Sequence, residues 1–426
     1  HQASPDLLMV QLTDDCFAHG DRLMTADEAL ALIADVAKPV TDPEEVGLDA
    51  APGRILAHDV VSERDVPPHP NAAVDGYAVF HEDLDPDGET RLPVTGRVPA
   101  GHALGRPARH NEAIRIFTGA PMPDGLDTVL MQEDTRLEDD HVVLPSGIRR
   151  GANRRHAGED IKSGATILKA GHRLKPQDVG LAASAGITSL PCYTKLKVAL
   201  FSTGDEVTEP GEPLKPGAIY DANRYAVAGL LRGLGCDVTD LGILPDEGPD
   251  TRQAISEAAR NHHALMTSGG VSVGDEDHVR QTIMAQGTLH AWYMAIKPGR
   301  PLMLGQTDGV AFIGLPGNPA AAIVTFLRFA RPLILRLGGA TNVNPTTFVV
   351  RAAFDRKKKS GRREYVRVHL ERGNDGLLEA HAFEREGAGI LSSLVDTDGL
   401  AELPEDMTQL EKGAMIEVLP FSEVIG

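Results

Sequence analysis

Cysteine is scarce: the 426 residues hold three, Cys16, Cys192 and Cys236, far apart in the chain. That excludes a disulfide framework and a paired-cysteine zinc site. Aromatic residues make up 4% of the chain, with a single Trp, so large interface anchors are few. Basic residues are outnumbered, 42 Lys and Arg against 61 Asp and Glu, for a net charge of −19. A chain this acidic is a poor general binder of nucleic acid or anionic membrane; an anionic ligand needs a local basic patch. Long apolar runs are missing too. The most apolar stretch, near 320–337, is broken by Arg328, Arg331 and Arg336, and no basic start leads into an apolar core. These absences point to a cytoplasmic protein with neither nucleic acid nor membrane as partner.

At about 150 residues per domain, the length accommodates two to four domains. Thr25-Ala-Asp-Glu28 has the form of a capping box, followed by a helical apolar stripe at Leu30, Ile33 and Ala34 that Pro39 stops. Short β-type runs separated by Gly and Pro follow from about 75 to 150, among them Ile114–Phe117 and Thr128–Met131. A helix is predicted from Pro176 to Gly186.

Between 195 and 338, strands and helices alternate. The strands are Lys197–Phe201, Val238–Leu244, Ala264–Thr267, 289–296, 301–305 and 310–314. Helices run from Asp221 to Gly235, Thr251 to Asn261, His278 to Gln286 and onward from Pro319. That alternation predicts βαβ units and a mostly parallel sheet. Beyond 345 the pattern is β again, at Thr347–Ala353, Glu364–Leu370, Gly376–Ala382 and Ala414–Leu419.

Open parallel sheets bind ligands beyond the carboxyl ends of their strands. The segments there are Ser202-Thr-Gly-Asp-Glu206, Pro245-Asp-Glu247, Ser268 to Asp277, Lys297-Pro-Gly-Arg300 and Leu315-Pro-Gly-Asn-Pro319. Singly, each has a plain explanation as a tight turn, a helix cap or a surface charge. Together they read as a site for a phosphorylated ligand. Gly269, Gly270 and Gly274 let backbone N–H groups approach an oxyanion. Lys297 and Arg300 supply positive charge. Asp205, Glu206, Asp246 and Asp277 are hard oxygen donors suited to Mg²⁺. The basic run Arg356 to Arg363 reads as a solvated hairpin tip that could help an anion reach the rim.

Seven motifs in order carry a resemblance: Val74–Ala78, Phe117–Pro121, Gly158–Ile161, Ser202–Glu206, Ser268–Gly274, Ile296–Pro301 and Leu315–Pro319. The chain resembles the molybdopterin molybdenumtransferase family, bacterial MoeA proteins and the E-domain of gephyrin-like proteins, from about residue 20 to its end. The resemblance implies a multidomain α/β fold. An elongated N-terminal domain (20–63 plus 159–192) carries an inserted β-rich domain (64–158). A central, mostly parallel α/β molybdopterin-binding domain (193–338) and a small C-terminal β-barrel-like domain (345–426) follow. It implies a homodimer whose sites form between subunits. The implied reaction inserts molybdate into adenylylated molybdopterin with release of AMP, giving molybdenum cofactor, with Mg²⁺ as cofactor. Implied partners are molybdopterin adenylyltransferase and the downstream molybdoenzymes or their chaperones.

In that frame Asp75, Asp160, Glu206, Asp246 and Asp277 are catalytic, and Glu206, Asp246 and Asp277 hold the metal. Thr118, Ser202, Thr203, Gly204, Asp205, Ser268, Gly269, Gly270, Ser272 and Gly274 contact the pterin substrate. Lys297, Arg300, Pro316, Gly317, Asn318 and Pro319 receive molybdate. Two departures stand out: Ala72-Ala73-Val74 replaces the Ser-Ala-Met of many relatives, and Ala321 replaces a serine that would contact molybdate. Tungstate, of nearly the same size and charge, fits the same reading. The rivals are a Mg²⁺-dependent nucleotide pyrophosphatase on the same α/β domain and a non-catalytic molybdopterin-binding scaffold.

Overall fold

The computed structural model describes residues 23–245, 249–270 and 287–425. The first helix, Ala26–Val36, starts at the capping box: Glu28 N–H donates to Thr25 Oγ1 at 3.2 Å, and Thr25 N–H to the Glu28 carboxylate at 2.9 Å. Such a cap stabilises a helix start by about 1 kcal/mol. The buried face, Ala26, Ala29 and Ile33, joins the same apolar core as Val198, Leu333 and Leu337. Strand Pro43–Gly47 then pairs antiparallel with Ser189–Tyr193, and Val60–Val61 with Thr166–Leu168. The helix Pro176–Ser184 packs over these strands around Leu56, Leu174 and Leu190.

Between these halves lies a six-stranded sheet. Its order is Thr128–Met131, Gly76–Val79, Ala113–Ile116, Thr90–Val98, His141–Leu144, Arg136–Glu138. Side chains alternate across its faces and fill two cores, one around Ile114 and Ile116, the other around Leu130 and Leu144. Gly76 sits where a β-carbon would lie 1.8 Å from Leu130 O, so no side chain fits there.

The central sheet runs Asp237–Leu244, Lys197–Thr203, Ala264–Ser268, Val310–Leu315, Pro301–Thr307, Gly287–Tyr293. Its first three pairings are parallel and its last two antiparallel. Both faces are buried: Val198 and Leu200 point into one core, Ala199 and Phe201 into another. The helix after Pro319 continues through a wide turn at Phe326–Ala330 into Arg331–Leu337. The helix read from Asp221 to Gly235 spans Asn223–Gly233 with Ala222 at the cap position, one residue later than expected; the Asp221 carboxylate still accepts Arg224 N–H at 3.1 Å. The helix predicted at His278–Gln286 lies outside the described residues.

The strand read as 289–296 ends at Tyr293. After it, Ile296–Lys297 leaves the sheet and pairs in parallel with Arg363–Glu364 of the C-terminal domain. There Arg363–Arg372, Leu378–Ala382, Phe348–Ala352, Met415–Pro420 and Gly399–Leu403 close into a five-stranded barrel. The closing strand, Gly399–Leu403, was not among those read from the sequence. Closure leaves no free edge between its ends. No helix among the described residues is long and apolar enough to cross a membrane.

Candidate functional site

The parallel strands bring their C-terminal turns together. Gly269 has φ +87°, and a β-carbon on it would stand 2.7 Å from Thr203 O, so the position admits only glycine without a shift. Its N–H donates to Leu315 O at 3.2 Å. Asn223 Nδ2 donates both to Ser268 Oγ (2.7 Å) and to Gly317 O (2.8 Å), tying a helix start to two turns. A β-carbon on Gly317 would lie 3.9 Å from Gly269 Cα. Ser202, Thr203, Ser268, Gly269, Gly270 and Gly317 are thus neighbours, as the strand-end reading requires. Buried Thr203 Oγ1 and Asn223 Oδ1 have no hydrogen-bond partner among the described residues, an arrangement suited to a polar ligand at the glycine turn.

Asp205 and Glu206 are exposed at this turn, with a Glu206 carboxylate oxygen 2.7 Å from where a Gly204 β-carbon would sit. Their hard oxygens suit a divalent cation. Asp246, Ser272, Gly274 and Asp277 lie outside the described residues.

The second half of the rim is the Lys297–Arg300 turn. A β-carbon on Gly299 would sit 3.1 Å from Ala321 Cβ and 3.5 Å from Pro316 Cγ, so this turn abuts the Pro316–Pro319 turn. With the barrel it encloses a cleft of about 190 Å³. Lys297, Arg300, Arg356, Arg362, Arg367 and Arg385 line it, against two carboxylates, Glu364 and Glu386. In a protein with net charge −19, this is the local basic patch an anion needs.

Several expectations change here. The run Arg356 to Arg363 is not a solvated tip as a whole. Arg356 donates to Glu364 and Glu386 (2.8 Å each), Arg362 to Glu364 (3.2 Å), and Arg363 to Asp27 (2.9 Å) and Glu405 (3.1 Å). Only Lys357 and Lys359 are exposed among its cations at 356–359. Lys297, read as a supplier of positive charge, has partners of its own: its Nζ donates to Glu386 at 2.9 Å and is 4.0 Å from Glu364. Ala320 and Ala321 N–H groups donate to Ala388 O, at 2.9 and 3.3 Å, so these donors of the helix start are committed to the C-terminal domain. Ala321 is 1% exposed and packs beside Gly299, so a hydroxyl there would be buried beside the Gly299 turn.

Arg367 is the residue that sequence reasoning missed. It is 8% exposed, and its guanidinium donates to two neutral oxygens, Ser393 Oγ and Gly387 O, both at 3.0 Å. Burial, then nearby Arg356, pulls its pKa down from the usual value, the mark of a cation short of negative charge. The sequence signal was an arginine inside the apolar run Tyr365–Val368.

The remaining residues stand in the inserted region, Asp75 and Thr118, and just after it, Asp160. Asp75 Oδ1 accepts both Thr118 N–H and Thr118 Oγ1–H at 2.7 Å, and the backbone bond leads in holding the Asp75 pKa below its usual value. Asp160 is exposed, its N–H donating to Val66 O at 3.0 Å. These bonds close within the N-terminal lobe.

Known proteins are similar along nearly all of this length. The profile for the MoeA N-terminal region (domain I and II) matches residues 24–186, that for a probable molybdopterin binding domain 199–336, and that for the MoeA C-terminal region (domain IV) 349–421. The Haemophilus influenzae molybdopterin molybdenumtransferase is 36% identical over 95% of this chain and 100% of its own. The chain belongs to the MoeA family of molybdopterin molybdenumtransferases. A Nostoc member is 38% identical over 89% of this chain and 88% of its own. The crystal structure of the molybdopterin biosynthesis moeA protein from Pyrococcus horikoshii OT3 superposes with a TM-score of 0.80. It is 30% identical and covers 94% of this chain and 100% of that one. Family membership places the chain in molybdenum cofactor biosynthesis.

Proposed function

We propose that the chain joins molybdate to adenylylated molybdopterin, releasing AMP and molybdenum cofactor. One observation carries this reading. The Pro316–Pro319 turn has the glycine turn at Gly269 on one side and the cationic Lys297–Arg300 cleft on the other. Two sites for two anions share one wall, as a reaction between a phosphorylated pterin and an oxyanion requires.

Gly269, Gly270 and Ser272 hold the pterin phosphate, Gly269 by letting the ligand approach the backbone closely where a side chain would block it, and Thr203 adds its buried hydroxyl. Lys297, Arg300 and Arg367 receive molybdate, whose two charges replace the field now supplied by Glu386. Mg²⁺ bound by Glu206, Asp246 and Asp277 would neutralise charge at the pyrophosphate as AMP leaves. Asp75, Thr118 and Asp160 complete the site from a second subunit of a cytoplasmic homodimer, since their own bonds close within the N-terminal lobe.

The test is to incubate the protein with adenylylated molybdopterin, Mg²⁺ and molybdate and to measure AMP. Release that requires molybdate supports the transferase. Molybdate-independent cleavage would identify a pyrophosphatase, and binding without cleavage a scaffold.

A further inference from the structure

A second cluster lies outside the catalytic rim, on the barrel. His369 and His381 are cross-strand partners on Arg363–Arg372 and Leu378–Ala382. Their rings stack with centroids 5.2 Å apart and planes 11° from parallel. Glu371 follows His369 by two residues and Glu379 precedes His381 by two, so all four share one face of the hairpin. Val368 and Ala380 point the other way, into the barrel core.

The nitrogen and oxygen atoms converge. Glu371 lies 3.5 Å from His369 Nε2 and 4.0 Å from His381 Nε2. One ligand atom from each of these three side chains falls within 4.8 Å of the others, the one such group among the described residues. Tetrahedral ligands at zinc bond lengths of about 2.0–2.2 Å stand roughly 3.3–3.5 Å apart. The three donors therefore need to close by less than about 1.5 Å, within reach of half-exposed side chains (39% for His369, 33% for His381).

Glu379 has a different part. Its Oε1 accepts Arg351 at 2.7 Å while Oε2 faces His381 Nε2 at 3.6 Å. Arg351 is itself held by Asp375 at 2.6 Å. A carboxylate anchored this way faces the same ring nitrogen as Glu371 and adds a fixed negative charge beside the three donors.

We propose that His369, His381 and Glu371 form a binding site for a divalent transition metal of the zinc class, clamping the barrel hairpin. Two imidazoles and one carboxylate suit Zn²⁺, Cu²⁺ or Ni²⁺ and disfavour Mg²⁺ and Ca²⁺, which take oxygen ligands. The site is distinct from the carboxylates of the catalytic rim and stands whether or not the transferase reading does.

The probe is Zn²⁺ alone, titrated into the full-length protein by calorimetry with Mg²⁺ in large excess to occupy oxygen sites. Wild type should bind one Zn²⁺ that survives the Mg²⁺. His369→Gln and His381→Gln should each weaken it at least tenfold, and Glu371→Gln several-fold. His102→Gln, at a distant exposed position, should leave it unchanged. Saturating Zn²⁺ should also raise the melting temperature of wild type more than that of His381→Gln. Co²⁺ on wild type should give a visible d–d band that Zn²⁺ displaces, a readout needing no variant. No Zn²⁺ binding by wild type, or the same isotherm for wild type and His381→Gln, overturns the proposal.

Discussion

Lys297 Nζ donates to Glu386 Oε2 across 2.9 Å, joining the rim of the α/β sheet to the barrel. That bond is the leading cause of a Glu386 pKa below the ordinary carboxylate value, with Arg356 adding to it. The carboxylate stays ionised and competes for the charge that an incoming oxyanion needs. Lys297→Ala should raise the molybdate concentration for half-maximal AMP release at least ~10-fold, the loss of about 1.4 kcal/mol. Glu386→Gln should lower it roughly threefold, the scale of a partly exposed ion pair. Opposite signs in the two titrations are the expected result; a shared sign would remove molybdate from this cleft.

Gly269→Ala tests the other anion site. The added methyl collides with Thr203 O at a backbone angle that alanine rarely adopts. Affinity for adenylylated molybdopterin should drop at least tenfold (about 1.4 kcal/mol), with a much smaller change in the molybdate requirement. Equilibrium binding of the pterin nucleotide, measured beside the molybdate titration, separates the two effects. If the molybdate requirement moves and pterin binding does not, the two sites are interchanged.

A mixture of subunits tests the dimer. Asp75→Asn and Glu206→Gln chains should each be inactive alone and regain activity after subunit exchange, because one mixed site then carries both intact residues. Exchange is followed independently with two differently tagged chains. Full exchange without recovered AMP release would place Asp75 and Glu206 in the same subunit.

Acid should act through Glu112. Its carboxylate takes hydrogen bonds from Arg106 first, then from Thr95 and the Arg109 N–H, and its pKa falls to about 2. A depressed folded-state pKa stabilises above the unfolded value, 4.5, and the contribution fades as pH drops toward 2. Glu112→Gln should therefore cost on the order of 1–3 kcal/mol at pH 7. In thermal melts the gap between wild type and variant should narrow steadily below pH 4.5. A gap constant with pH would mean that lost packing, not charge, is the cause.

The sequence was most informative where the signal is local. The Thr25–Glu28 box, the alternation of strands and helices, and the glycine turn at Gly269 all sit within a few residues of what they determine. The rim followed from one topological rule applied to those strands. The Arg356 run was misread for the opposite reason. Its partners, Glu364, Glu386, Glu405 and Asp27, come from other elements, so residue type alone made it look solvated. The barrel's closing strand, Gly399–Leu403, is short and flanked by acidic and turn residues, and its pairings with Arg363–Arg372 and Met415–Pro420, distant in sequence, define it. Arg367 was hidden inside an apolar strand, where a sequence reading looks for core.

The two-residue strand Ile296–Lys297 has a mechanical consequence. It is hydrogen-bonded to the barrel, while Pro301, four residues on, is already woven into the central sheet. The Lys297–Arg300 turn is a short tether fastened at both ends to different bodies. A tilt of the barrel is transmitted to the turn as torque, and whatever grips the turn resists the tilt in return. Oxyanion affinity and barrel orientation are then two readings of one spring, so loosening the splice at Arg363–Glu364 should soften the grip on the anion without touching any residue that holds it.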